Sequence, residues 1–261
     1  MECFQTIIHE DISVSNIYLN RSLSDIYLFK GLHASCDESM AKAEKYLRSI
    51  LQLCFANYEA IESGAEDGGE ISEKMETEGM CPKNQEIIYD CLFNLALVNL
   101  NMAKRKPAIP TYLEKARNLS KFGIKSFEDC SQFWLLYAFT EETEKKKKAS
   151  LLAGISNDPQ NTEVVNALSY CFIKEKKVTF ATKLLLKSLE LDALENYKAF
   201  NGLSLVNIVV GLELLARKNG TIEKNPEFLK DLYENSKVFI EKSYFYSLNS
   251  QEITQTVIIR S

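Results

Sequence analysis

The chain has 261 residues, 46% of them hydrophobic and 26% charged, enough to bury a large core as one elongated domain or two compact ones. Ten glycines and five prolines are too few for a turn-rich β-sandwich and suit a chain of long helices. A formal net charge of −5 speaks against a protein whose affinity rests on phosphate contacts, because that affinity accumulates through Lys and Arg.

The seven cysteines (Cys3, Cys36, Cys54, Cys81, Cys91, Cys130 and Cys171) are odd in number and widely spaced, with no CxxC pair. Most stand at apolar positions of helical patterns, where a free thiol acts as a small hydrophobe. This points to a reducing compartment without a disulfide framework or zinc site. Met1-Glu2-Cys3-Phe4 lacks the basic start and apolar core of a secretory leader. The longest apolar region, Leu203 to Ala216, is interrupted by Asn207, Gly211 and Glu213, so no membrane span is expected. The expected location is intracellular, nuclear or cytoplasmic.

In chain order, residues 1–21 form a lead-in that alternates weakly through Ile12, Val14, Ile17 and Leu19, and reads as a short helix or an extended segment. Residues 22–61 read as a first helical hairpin. Ile26, Tyr27, Phe29 and Leu32 lie on one broad face, and Cys36-Asp37-Glu38-Ser39 makes the turn. Ala43, Tyr46, Leu47, Ile50, Leu51 and Cys54 then recur at spacings of three and four. Residues 62–84 break the pattern. Gly64-Ala65-Glu66-Asp67-Gly68-Gly69-Glu70 buries too little to offset its ordering entropy and is expected to be a disordered acidic insertion.

Helical patterning resumes at Gln85 with Cys91, Leu92, Leu95, Ala96 and Val98, and leaves through Ala103-Lys104-Arg105-Lys106-Pro107. Pro107 suits the first turn of the following helix, where its missing N–H costs nothing, and Pro110 is still tolerable there. Residues 85–195 read as successive hairpins. Within them, 128–161 and 162–195 are two blocks of 34 residues, each helix, turn, helix and a short linker. A C-terminal helical pair occupies 196–247, as helices of about 196–217 and 226–247. The tail 248–261 is β-prone at Val257-Ile258-Ile259 and reads as frayed or as leading into a longer chain.

Hairpins at a fixed spacing are the mark of a solenoid. Block 162–195 carries Val165, Leu168, Ser169 and Phe172 in its first helix, then Ala181, Leu185, Ser188 and Ala193. Block 128–161 carries Trp134, Leu135, Ala138, Leu151, Gly154 and Pro159, with Lys147 where a small residue belongs. Weaker copies fit 89–122 (Leu92, Leu95, Ala96, Ala108, Tyr112) and 24–57 (Tyr27, Gly31, Ala34, Ala43, Leu47, Ile50). On these residues the chain resembles the tetratricopeptide repeat family. The other reading is a generic α-helical bundle whose spacings coincide.

The resemblance implies an all-α, right-handed superhelix of about four to five hairpins, whose first helices line a concave partner-binding groove. Carried over residue by residue, the groove positions are Asp90, Phe93 and Leu97, then Asp129, Gln132 and Leu136, then Glu163, Asn166 and Tyr170. Leu100, Phe139 and Ile173 extend the three sets, and the weakest copy adds Asp25, Leu28 and Leu32. Each set opens on an acid and continues mostly apolar, which suits an apolar partner helix or peptide bearing Lys or Arg. Some of these residues could equally be core. A carboxylate-gripping co-chaperone is disfavoured, since Asn94 alone matches the Lys, Asn and Arg such domains use.

Catalytic chemistry has little support. Only two histidines exist, and His33 three residues before Cys36 lacks an orienting group and an oxyanion site. No phosphate-loop, dinucleotide-binding, zinc-protease or serine-hydrolase motif occurs, so no enzyme activity, metal, cofactor or small-molecule substrate is expected. Lys145-Lys146-Lys147-Lys148 follows Glu141, Glu142 and Glu144, and exposed pairs at helical spacing are expected. The alternative is an RNA- or DNA-associated helical-repeat protein using basic edges 104–106 and 145–148. The favoured expectation is a protein–protein interaction scaffold or adaptor within a larger assembly.

Overall fold

The computed structural model describes residues 17–55, 57–64, 83–127, 130–192, 196–216 and 226–260. Among them are eleven helices and no β-strand: α1 (Ile17–His33), α2 (Asp37–Cys54), α3 (Tyr58–Ser63), α4 (Lys83–Arg105), α5 (Pro110–Ser126), α6 (Ser131–Thr140), α7 (Glu144–Asn157), α8 (Thr162–Lys174), α9 (Val178–Leu191), α10 (Tyr197–Ala216) and α11 (Pro226–Arg260). The expected all-α class is what the structure has. The chain divides into two compact units at Glu142–Thr143. Block 128–161 straddles that junction, with α6 in the first unit and α7 in the second.

Each unit is assembled as an α–α repeat is assembled: most helices pack on a chain neighbour, and α2 with α4, α4 with α6 and α8 with α10 pack on the next but one. In the first unit α4 packs on α1 and α2, and α6 packs on α4 and α5, while short α3 leans on α2 and α5. In the second, α8 packs on α7, α10 on both α8 and α9, and α11 on α10.

The second helix of each pair shows why. Small or apolar residues recur at spacings of four and three: Ala43, Leu47 and Ile50 in α2, and Ala181, Leu185 and Ser188 in α9, all buried. In α7, Lys147 takes the first of these places half-buried, followed by buried Leu151 and Gly154. In α5 the set is Ala116, Ser120 and Gly123, also buried. This corrects the sequence reading, which placed Ala108 and Tyr112 in those roles. Ala108 is exposed, and the packing residues lie two turns further on. The reason is that α4 runs the full 23 residues from Lys83 to Arg105, and α5 starts only at Pro110, with Pro107 in the preceding turn.

Glycine lets two of these contacts close. A Cβ on Gly123 would stand 2.4 Å from the Phe133 ring, and one on Gly202 would stand 2.6 Å from Leu185. Each fully buried Leu or Ile across these seams contributes roughly 1.5–3 kcal/mol. Helix starts are capped where the chain turns. The Thr143 hydroxyl accepts the Lys146 N–H at 3.3 Å, and the Asn161 side chain accepts the N–H groups of Glu163 and Val164 at 3.0 and 3.3 Å. Such caps are each worth about 1 kcal/mol.

Three boundaries differ from expectation. Helix α1 begins at Ile17, within the segment expected to be a lead-in, because Ile17, Leu23, Tyr27 and Leu28 continue one buried face. Ile26 points outward instead. Helix reaches into both ends of the 62–84 span expected to be an insertion: α3 runs to Ser63, closed by Gly64 at φ 84°, and α4 starts at Lys83, while 65–82 lie outside the described residues. The expected β-prone or frayed tail is helical through Arg260. Extending a formed helix gains one hydrogen bond per residue, while Val and Ile cost only tenths of a kcal/mol there, so propagation wins over β propensity.

Candidate partner-binding surface

Helix α4 carries two faces. Ile88, Cys91, Leu92, Leu95 and Asn99 are buried against α2 and α5, and the Asn99 amide bonds back to the Leu95 carbonyl at 2.9 Å. Tyr89, Asp90, Phe93, Asn94 and Leu97, one helical step around, stay half-buried. Helix α1 brings Arg21 and Asp25 alongside, and α6 brings Gln132 and Phe133. The Asn94 amide donates to Asp25 at 3.3 Å, the Tyr89 hydroxyl donates to Gln132 at 3.1 Å, and Arg21 forms an ion pair with Asp90.

Below this polar layer lies an aromatic one. The Phe133 ring is fully buried, with ring centres of Tyr89 at 5.0 Å, Phe93 at 6.0 Å and Phe127 at 5.9 Å. Edge-to-face and offset rings at these distances are mutually attractive. Phe93 and Leu97 therefore offer an apolar strip anchored to the core and open on one side.

Two carboxyls, Asp25 and Asp90, lie beside this strip, and both are less readily ionised than usual. Burial by neighbouring atoms raises the Asp25 carboxyl above its ordinary range, opposed by Arg21 and assisted by Asp90. Burial raises Asp90 as well, with Arg21 opposing and Glu86 assisting. Burial, then Cys130 and Asp90, push the Tyr89 phenol up to about 12.

Of the residues expected to line a groove, the structure gathers Asp90, Phe93, Leu97 and Gln132 here, and Asp25 with them. Leu136 is only 4% exposed and belongs to the core. Leu28 and Leu100 are buried likewise, and Asp129 lies outside the described residues. In the second unit α10 engages the corresponding residues of α8. Asn166 is 2% exposed and donates to Asn196 at 2.7 Å. The Tyr170 hydroxyl donates to the Lys198 carbonyl at 2.9 Å, and Lys198 pairs with Glu163. Ile173 is buried in the same seam. Sequence reasoning missed Arg21 and Tyr89. Arg21 lies four residues before Asp25, a local hint, but its partner Asp90 is 69 residues away, beyond any local pattern.

The basic edges are largely engaged within the chain. Arg105 donates to Asp37 at 3.3 Å and to the Gly31 carbonyl at 2.8 Å, and Lys106 meets Asp37 at 3.0 Å. The Lys104 ammonium lies 5.4 Å from the Phe139 ring centre. Lys148 pairs with Glu175, and Glu144 pairs with Lys174 at 2.9 Å. The local pairing expected of Lys145–Lys148 with the preceding acids is thus replaced, at both ends of α7's first turn, by bonds to the far end of α8. Lys145 and Lys146 remain exposed.

The His33 ring lies tilted against Phe29, ring centres 4.2 Å apart, and no cluster of metal-ligating side chains occurs among the described residues. Half-exposed Cys36, just before α2, has its thiol lowered mainly by hydrogen bonding to Ser39. Burial pushes the Cys54 thiol up to about 12 and raises Cys91 as well. Brief alkylation of the native protein with iodoacetamide at neutral pH is expected to label Cys36 well before Cys54 or Cys91, since the thiolate is the nucleophile. Peptide mass spectrometry reads the order, and equal labelling would contradict this placement. No helix among the described residues is long and apolar enough to cross a membrane. No family model and no curated protein sequence matches this chain.

Proposed function

We propose that this chain is a tetratricopeptide-like interaction scaffold, a subunit of a larger assembly. In this reading it binds an apolar helix or peptide carrying Lys or Arg on the face formed by α1, α4 and α6. The observation that carries the reading is the half-open strip of Phe93 and Leu97, bordered by two carboxyls, Asp25 and Asp90, that their surroundings hold protonated more readily than usual. Apolar anchors give such a contact its affinity, and the flanking acids select a basic partner. The face is smaller than the groove expected from the sequence, because Glu163, Asn166 and Tyr170 are engaged by α10.

Affinity purification identifies partners, and the strongest is then measured with purified protein. Phe93→Glu is expected to weaken binding at least tenfold, about 1.4 kcal/mol, and Asp25→Lys to weaken it by a smaller factor. Circular dichroism should stay unchanged for both. Binding should also fall as pH drops through the carboxylate range, since protonating Asp25 and Asp90 removes the attraction for a cation. Unchanged affinity in both variants, with no loss at acid pH, would rule out this face.

A further inference from the structure

We propose that the groove between α10 and α11 is a self-association surface, in which α11 of one copy lies antiparallel against α11 of a second. The groove encloses about 610 Å³. Its walls include Ile208 and Leu212 from α10, and Tyr233, Lys237, Ile240 and Glu241 from α11. Leu212 is 60%, Tyr233 68% and Ile240 50% exposed. Large apolar side chains grouped in a concave surface mark a place where another molecule sits.

This stripe is not what holds α11 in place. Phe239 packs into the core of the second unit, and the Ser243 hydroxyl donates to the Tyr197 carbonyl at 3.0 Å, both on the neighbouring face. Gly211 lowers the α10 wall, for a Cβ there would meet nothing within 4 Å. A second helix can therefore approach closely at that point.

The identity of the occupant follows from the stripe itself. Tyr233, Lys237, Ile240 and Tyr244 recur at spacings of four, three and four, the spacing of a seam that pairs with its own reverse. With a two-fold axis between Val238 and Phe239, Tyr233 of each copy meets Tyr244 of the other. The Lys237 stem then lies on Ile240 of the second copy, and its ammonium reaches Glu241 there. Among the described residues neither Lys237 nor Glu241 has an ion-pair partner within its own chain. The stripe thus sets opposite charges against each other across the axis, and a two-fold contact closes as a dimer without growing into a filament.

Sedimentation equilibrium of the full chain from about 1 to 100 μM tests this, because dimer stability depends on protomer concentration. The native chain is expected to dimerise in that range. Leu212→Glu and Ile240→Glu, both at exposed positions, are expected to give monomer with unchanged helicity. Lys237→Glu sets acid against acid and is expected to weaken the dimer at least tenfold. Adding Glu241→Lys reverses the pair and is expected to restore it. A native chain that stays monomeric throughout would overturn the proposal. So would a dimer indifferent to Leu212→Glu and Ile240→Glu, or a charge reversal without rescue.

Discussion

Phe133→Ala is expected to cost the first unit about 3–5 kcal/mol, the usual loss for a large aromatic removed from a closed core. The ring is fully buried, meets Tyr89, Phe93 and Phe127, and lies directly over Gly123. No neighbour can fill the space without leaving its own position, because Tyr89 is bonded to Gln132 and Gly123 has no side chain to extend. The chain's single tryptophan, Trp134, lies in the same unit, so urea unfolding followed by its fluorescence reports this unit. The midpoint should fall by roughly 1–5 M, given a slope of about 1–3 kcal/mol per molar urea. Gly123→Ala is the complementary change. Its methyl would stand 2.4 Å from the ring, and overpacking of that kind costs about 1–3 kcal/mol. The two losses should not add, because removing the ring makes room for the methyl. Additive losses, or a Phe133→Ala cost below about 1 kcal/mol, would show that the ring is not the keystone of this packing.

The second large effect is expected from Asn196→Ala. This side chain ties three helices of the second unit. Its amide donates to the Ser188 carbonyl at 3.0 Å and the Ser188 hydroxyl at 2.7 Å, at the end of α9. Its oxygen accepts from Asn166 on α8 at 2.7 Å and caps the Ala199 N–H of α10 at 3.1 Å. Losing a cap costs about 1 kcal/mol, and stranding buried polar groups costs about 1–3 kcal/mol more. A total of about 2–4 kcal/mol is expected, read by hydrogen exchange of α8, α9 and α10 under native conditions. The first unit's Trp134 transition should not move. Asn166→Ala in the Asn196→Ala background should cost less than it does alone, since the partner is already gone. Full additivity of the pair would mean that the bond between them carries no weight.

Much of the architecture was legible in the residues. Repeated apolar spacings of three and four give helices whatever their partners are, and the positions Leu168, Ser169, Ala181 and Leu185 are buried as their small and branched side chains require. The same reasoning slipped by two turns in α5. Periodicity locates a stripe but not where a long helix stops, and the end of α4 decided which residues of α5 face inward.

The candidate surface was legible only in part. Asp90, Phe93, Leu97 and Gln132 were named by carrying positions over from the tetratricopeptide resemblance, and the structure gathers them on one face. Asn166 and Tyr170 satisfy the same pattern, yet Asn166 is buried against the start of α10 and half-buried Tyr170 is bonded to it. Nothing in their own helix distinguishes them from Asp90 and Phe93. The difference is made by residues 196–198, about thirty positions later, which bring a second set of hydrogen-bonding groups to that face of α8.

Local sequence therefore determined that this chain is helical, where most helices lie, and which side chains seal each pair, because those follow from backbone periodicity and burial within one hairpin. Only the tertiary structure decided which first-helix faces stay open. That choice depends on long-range pairs such as Arg21 with Asp90 and Asn166 with Asn196. Their free energy is realised only after separate hairpins have packed, and no local spacing encodes it.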